Sequence, residues 1–360
     1  MSRRARWAVV ALGVAVLFAL PSAVSALPVH TSTTSTQELL SRVRASGSAG
    51  WSGYAESRGA LQVPDVPELG DLAQLVGGTT RTRTWWRGPQ DVRIDVLSLV
   101  GETDTVTDYA GSWTWDSADH RADRVLGDVP VHLPRPEDLL APVLGRRFAG
   151  TRDVQVSRLP ARRVAGQEAD GLRLRPKHPR GTTLSAVDLW VEPHTGLPLR
   201  VEVRAVGQAA PVLTSLLLDL DLSRPAAAAT AFVPPLTATV SEQRAPDLAA
   251  LIDRLAPFRL PDHLAGLPRT APVQGLSGGG VAAYGQGLGA FVVVPLPYGT
   301  GRSLTRKLEA LGRRVSTPLF NGLVVEGDHR HYLIAGTVPA TVLDRAAADL
   351  TADPPTRTGP

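Results

Sequence analysis

The chain has 360 residues, a formal charge of +4 and no cysteine. Lacking cysteine, it can form no disulfide, no thiolate metal site and no lipid anchor at a cysteine. The first 26 residues hold three arginines and no acid, so the remainder carries only +1. That is a weak electrostatic case for nucleic acid.

Residues 1–26 read as a secretory signal peptide. Arg3, Arg4 and Arg6 precede an uncharged run of 14 residues from Trp7 to Leu20, and Pro21 to Ala26 then supplies a breaker and small residues. Val24 and Ala26 suit a signal peptidase. The run is short of the roughly 20 residues that a spanning helix needs. An uncleaved N-terminal anchor is the alternative, and both readings place the rest outside the cytoplasm. The roughly 330 residues that follow are too many for one small core and predict two domains.

Residues 27–34 read as a disordered tether. Ser35 and Glu38 have capping-box spacing, and Leu39, Leu40 and Val43 continue at helical spacing to Ala45. Trp51 to Glu56 predicts a strand, and residues 62–78 a short amphipathic insertion. Thr80 to Arg87 alternates, with Thr82, Thr84 and Trp86 on one face and Arg81, Arg83, Trp85 and Arg87 on the other. Val92, Ile94 and Val96 alternate next. Strands at 103–109 and 112–116 follow, separated by Gly and Pro turns. Pro136 to Leu144 is a helical interlude.

Period-2 runs then resume around Leu172/Leu174, Val187/Leu189/Val191, Leu197/Leu199/Val201/Val203 and Leu216/Leu218/Leu220/Leu222. We place a domain boundary near 240, a connecting segment over 241–261 and a small α+β domain over 262–351. In that domain Asn321-Gly322 and Gly327-Asp328 predict hairpin turns. Residues 352–360 read as a disordered tail.

Catalytic signals lack context. Gly275-Leu276-Ser277-Gly278-Gly279 fits a nucleophile elbow, yet no buried strand precedes it and no helix follows. Gly285-Gln286-Gly287-Leu288-Gly289 reads as a strand-flanking turn rather than a phosphate loop. His329 and His331 lack further metal ligands at usable spacing. The acid pairs Glu102/Asp104 and Asp219/Asp221 predict a solvated face. We therefore expect no enzyme, no cofactor and no metal.

Five of the seven tryptophans lie at 85, 86, 113, 115 and 190. They fill a core, or Trp86, Trp113 and Trp115 line an apolar cavity. Trp190 shares a face with Asp188 and Glu192, which places it outside, where it could mark a contact site.

Trp113-Thr114-Trp115-Asp116, and above all Asp188 to Arg200 (DLWVEPHTGLPLR), behind a leader and a Leu-Leu-x-x-Val helix, resemble the LolA/RseB (MucB) group of extracytoplasmic proteins. The two-domain layout is more like RseB, and the Arg- and Pro-rich composition more like its actinobacterial members. The resemblance implies an α+β chain: an unclosed antiparallel β-barrel over 35–240 with covering helices, plus the smaller C-terminal α+β domain. It implies a cavity for a lipid or lipoprotein acyl chain. Candidates to line it are Trp86, Ile94, Trp113, Trp115, Leu189, Leu199, Val201 and Leu218. RseB-like members also bind an anti-sigma factor ectodomain, which makes such a regulator the alternative to a carrier; an envelope hydrolase ranks last. Peripheral membrane association is compatible with all of these.

Overall fold

The computed structural model describes residues 29–62, 70–99, 101–129, 132, 134–247, 258–270, 279–296, 299, 305–306, 314–327 and 330–357. The leader, the nucleophile-elbow stretch through Gly278, His329, and the helices predicted at 247–255 and 303–313 lie wholly or largely outside these residues. No helix among the described residues is long and apolar enough to cross a membrane.

One 12-stranded sheet dominates. Its first half is a meander: β1 (Trp51–Gly59), β2 (Thr79–Gly88), β3 (Asp91–Leu97), β4 (Glu102–Asp108), β5 (Gly111–Asp116) and β6 (Arg121–Leu126). Its second half is β7 (Val154–Val164), β8 (Gln167–Pro176), β9 (Leu184–Val191), β10 (Pro198–Ala205) and β11 (Leu213–Asp221), joined to the first through the β1–β11 pair. β12 (Thr239–Arg244) adds to the β6 edge as the sheet's parallel pair. β7 and β12 form the two ends and do not pair, so the sheet stays open.

Three helices cover one face of this sheet: α1 (Thr36–Ala45), α2 (Gly70–Gly77) and α3 (Ala141–Ala149). Ser35 caps α1 by accepting from the Glu38 N–H at 3.2 Å, as the spacing predicts. Leu39, Leu40 and Val43 of α1 join Leu172, Leu174, Val187, Leu189 and Val201 in one core. Each such side chain contributes about 1.5–3 kcal/mol on burial.

Strand β7 gives little periodic signal because it is Arg-rich and holds Pro160. The register breaks between Leu159 and Arg162, and a proline is tolerated there because no ladder N–H is required. The stretch read as a tether is tied down on this side: Ser32 N–H donates to Asp170 Oδ1 at 3.0 Å, and Arg158 donates to the Thr34 carbonyl.

A smaller five-stranded sheet follows, in the order β13 (Ala282–Gln286), β14 (Gly289–Leu296), β17 (Arg330–Gly336), β16 (Asn321–Gly327), β15 (Arg314–Ser316), with α4 (Ala340–Ala352) packed on it. Asn321-Gly322 does not turn; it opens β16, and the turn is Thr317–Phe320, closed by a Thr317 N–H to Phe320 carbonyl bond. Asn321 is instead buried, donating to the Val338 carbonyl at 2.8 Å. In the tail, Thr356–Arg357 pairs with Phe258–Arg259.

Candidate site on the inner face of the open sheet

Strand register decides which predicted residues meet. Trp86 pairs with Trp51 and Val92, Thr84 with Ile94, and Ala55 with Leu217, and all of these lie on the helix-covered inner face. Val201 pairs with Leu189 on the same face, continuing to Leu172. Trp86, Ile94, Leu189, Leu199 and Val201 are all buried. Trp51 and Trp86 stack at 6.4 Å, and Trp86 Nε1 donates to the Gly47 carbonyl at 2.8 Å, fastening the end of α1 to the sheet.

Three candidates do not belong to this face. Val106 pairs with Trp113 and Asp104 with Trp115, whereas the Trp86 ladder runs through Val92 and Thr107 to Ser112. Trp113 and Trp115 therefore point outward. There they pack on Phe232 at 5.5 and 6.3 Å, with Arg124 over Trp113. Equal spacing within each strand hid this, because face assignment between strands depends on register. Leu218 fails for a different reason. A β-bulge between Tyr54 and Ala55 leaves it unpaired and 46% exposed, while Leu217 takes the inner position.

The inner face is less apolar than the alternation implies. Ser57, Thr82, Thr84 and Ser215 are buried on it, and the Thr84 and Ser215 hydroxyls have no hydrogen-bond partner among the described residues. The signal was present in the Thr-x-Thr-x-Thr run of β2. A narrow recess lies here, too tight to admit a water molecule, between Ala55, Glu56, Ser57, Thr80, Thr82 and Ser215 of the sheet and Pro136, Leu139 and Leu140 of the covering segment. Small-molecule sites begin at roughly 300 Å³, so this recess is not by itself a preformed ligand cavity. An acyl chain would have to displace part of the covering layer.

Opposite the recess, the outer face is a charge lattice. Asp188 accepts from Arg173 at 2.5 Å and from Arg204 at 2.8 Å. Burial pushes its carboxyl up, but the two guanidiniums outweigh this and hold it below the usual range. Trp190 lies on this face, as its neighbours predict. It is only 3% exposed, however, because Arg162 and Arg200 cover its ring at 4.2 and 5.9 Å. It is therefore no exposed contact site.

The Glu102/Asp104 pair does not form a solvated face either. Asp104 is 2% exposed beside the equally buried Asp95, and Arg93 donates to both at 2.7 Å. Asp95, Glu102 and Asp104 are close enough to share a cation. Arg93 and the Arg83–Glu102 pair at 2.9 Å already supply positive charge there. Asp219 and Asp221 are solvent-exposed, as predicted.

No protein-family model and no curated protein sequence matches the chain. Among solved structures, MucB in complex with MucA(peri) is 16% identical, with a TM-score of 0.45, covering 87% of this chain and 97% of that one. The Pseudomonas aeruginosa MucA/MucB complex gives 16%, 0.45, 87% and 96%. A LolA superfamily protein from Nitrosomonas europaea gives 13% and 0.23, covering 52% of this chain and 92% of that one. The structural neighbours are MucB and LolA-superfamily proteins.

Proposed function

We propose that this is an exported, non-enzymatic binding protein that holds a lipid or lipoprotein acyl chain against the inner face of the open sheet. The observation that carries the reading is the way this face is covered. Short helices and the Leu139-Leu140 segment rest on it largely through apolar side chains, with only a narrow recess between the segment and the sheet. An acyl chain can replace such contacts with equivalent ones, at about 0.8 kcal/mol for each CH₂ buried. Specific polar recognition of the chain is then unnecessary.

The test is mass spectrometry of lipids extracted from protein purified from its native envelope, followed by titration with a fluorescent fatty acid. Co-purified acyl lipid and saturable uptake are expected. Empty protein that takes up no fatty acid would overturn the reading. The resemblance of residues 188–200 to the RseB group supports a second reading, a regulator that binds the extracytoplasmic segment of an anti-sigma factor. Capture of such ectodomains by the purified chain, with no acyl lipid bound, would favour it.

A further inference from the structure

The arginines around the covering helices are nearly all used. Arg42 pairs with Glu38 at 2.6 Å, Arg44 donates to the Ala149 carbonyl at 2.7 Å, and Arg147 reaches Asp138 at 3.2 Å. Arg146 of α3 differs. Its guanidinium lies 4.9 Å over the Trp86 ring, and its Nη1 is buried with no hydrogen-bond partner. Its Nε is close to the position a side chain at Gly47 would take. No carboxylate among the described residues pairs with it. Burial alone pushes its pKa down to about 10.

Arg146 is half-buried, and a guanidinium edge that the protein itself leaves unpaired suits an anion. The geometry narrows the choice. The Trp86 ring occupies one face of the guanidinium, which leaves the in-plane N–H donors for an oxyanion. A guanidinium edge matches carboxylate and phosphate oxygens, two at a time. Trp86 lies on the same inner face as the recess, four residues along β2 from Thr82, or about 13 Å at 3.3 Å per residue. An extended chain of about ten carbons covers such a distance.

We propose that Arg146 receives the anionic head group, a carboxylate or a phosphate, of a single-chain amphiphile whose tail runs along the inner face toward the Leu139-Leu140 recess. The position of the tail rests on the acyl-chain reading; the anion site rests on Arg146 and Trp86.

The experiment titrates the full chain and its Arg146→Met and Arg146→Lys variants with dodecanoate, dodecyl phosphate, neutral 1-dodecanol and inorganic phosphate. Tryptophan fluorescence and the thermal unfolding midpoint are followed. Wild type is expected to bind one of the charged amphiphiles at least about tenfold more tightly than dodecanol. Arg146→Met should bring that ratio within about twofold without changing dodecanol affinity. Arg146→Lys, charged but without the planar fork, should fall between them. The ligand-free Met variant should unfold close to wild type, because relief of the unpaired charge and loss of the contact with the Trp86 ring offset each other.

Equal binding of all three amphiphiles, or an anion preference that survives in Arg146→Met, overturns the head-group site and leaves the acyl reading standing. Inorganic phosphate that protects wild type as strongly as dodecyl phosphate does overturns the amphiphile assignment. Failure of every ligand overturns both.

Discussion

Gly196 shows how a single residue fixes the stretch on which the family resemblance rests. Its φ is +73°, and a Cβ there would come within 2.3 Å of the Arg42 carbonyl carbon. The turn is closed from below by Glu192, whose carboxylate accepts from the N–H groups of His194 at 3.0 Å and Thr195 at 2.7 Å. Gly196→Ala is expected to cost roughly 2–4 kcal/mol in urea unfolding, from backbone strain and the clash with α1 together. Asp104 gives a pH signature. Burial, then the Asp95 charge, raises its pKa to about 6. In the unfolded chain it ionises near 3.9, so between these values the native carboxyl keeps a proton that the unfolded one has lost. Its contribution is complete below about pH 4 and is lost as the pH rises through about 6. Asp104→Asn should therefore unfold later than wild type at about pH 8, by roughly 1–2 kcal/mol, and together with it at about pH 4. Denaturant midpoints at the two pH values check this.

Along the strands, register does what alternation alone cannot. β11 carries leucines on both sides of its bulge, and only pairing with β1 shows that Leu217 is inside and Leu218 outside. Leu217→Ala is expected to cost about 2–4 kcal/mol, and Leu218→Ser less than about 0.5 kcal/mol. Equal effects in chemical denaturation would show that the bulge lies elsewhere. The covering helices follow their sequence more directly. Gly145 of α3 sits where a Cβ would be 2.6 Å from the Pro198 ring, so helix and strand approach as closely as a glycine permits. Gly145→Val should loosen α3 and speed amide exchange over residues 141–149, while amides of the smaller sheet keep their protection.

At the scale of the molecule, the smaller sheet plugs into the larger one. The tip of the β13–β14 hairpin is the glycine run Gly285–Gly289, a turn between strands as its sequence predicts. Gly287 has a φ of +67°, and Leu288 inserts into the core shared by α1, β8 and β9. Thr182 donates to the Leu288 carbonyl at 2.6 Å, and Thr337 to the same oxygen at 2.8 Å. Leu319 and Phe320 pack against that core as well. Leu288→Ala is expected to destabilise the large sheet by about 2–4 kcal/mol, although it lies outside that sheet. Hydrogen exchange over β8 and β9 reads the effect.

The order of strands and helices was legible in the sequence because alternation, Gly/Pro punctuation and a capped apolar stripe act over a few residues. Ser35 and the Thr80–Arg87 run both stand as their local chemistry predicts. The outward position of Trp113 and Trp115, the exposure of Leu218, the burial of Asp104 and the partnerless guanidinium of Arg146 were decided only by tertiary structure. Each depends on a neighbour outside its own strand or helix: a strand register, a bulge opposite β1, the paired Asp95 and Arg93, a helix laid over Trp86. A strand's own pattern says that it has two faces. Its partners decide which of them closes over the core.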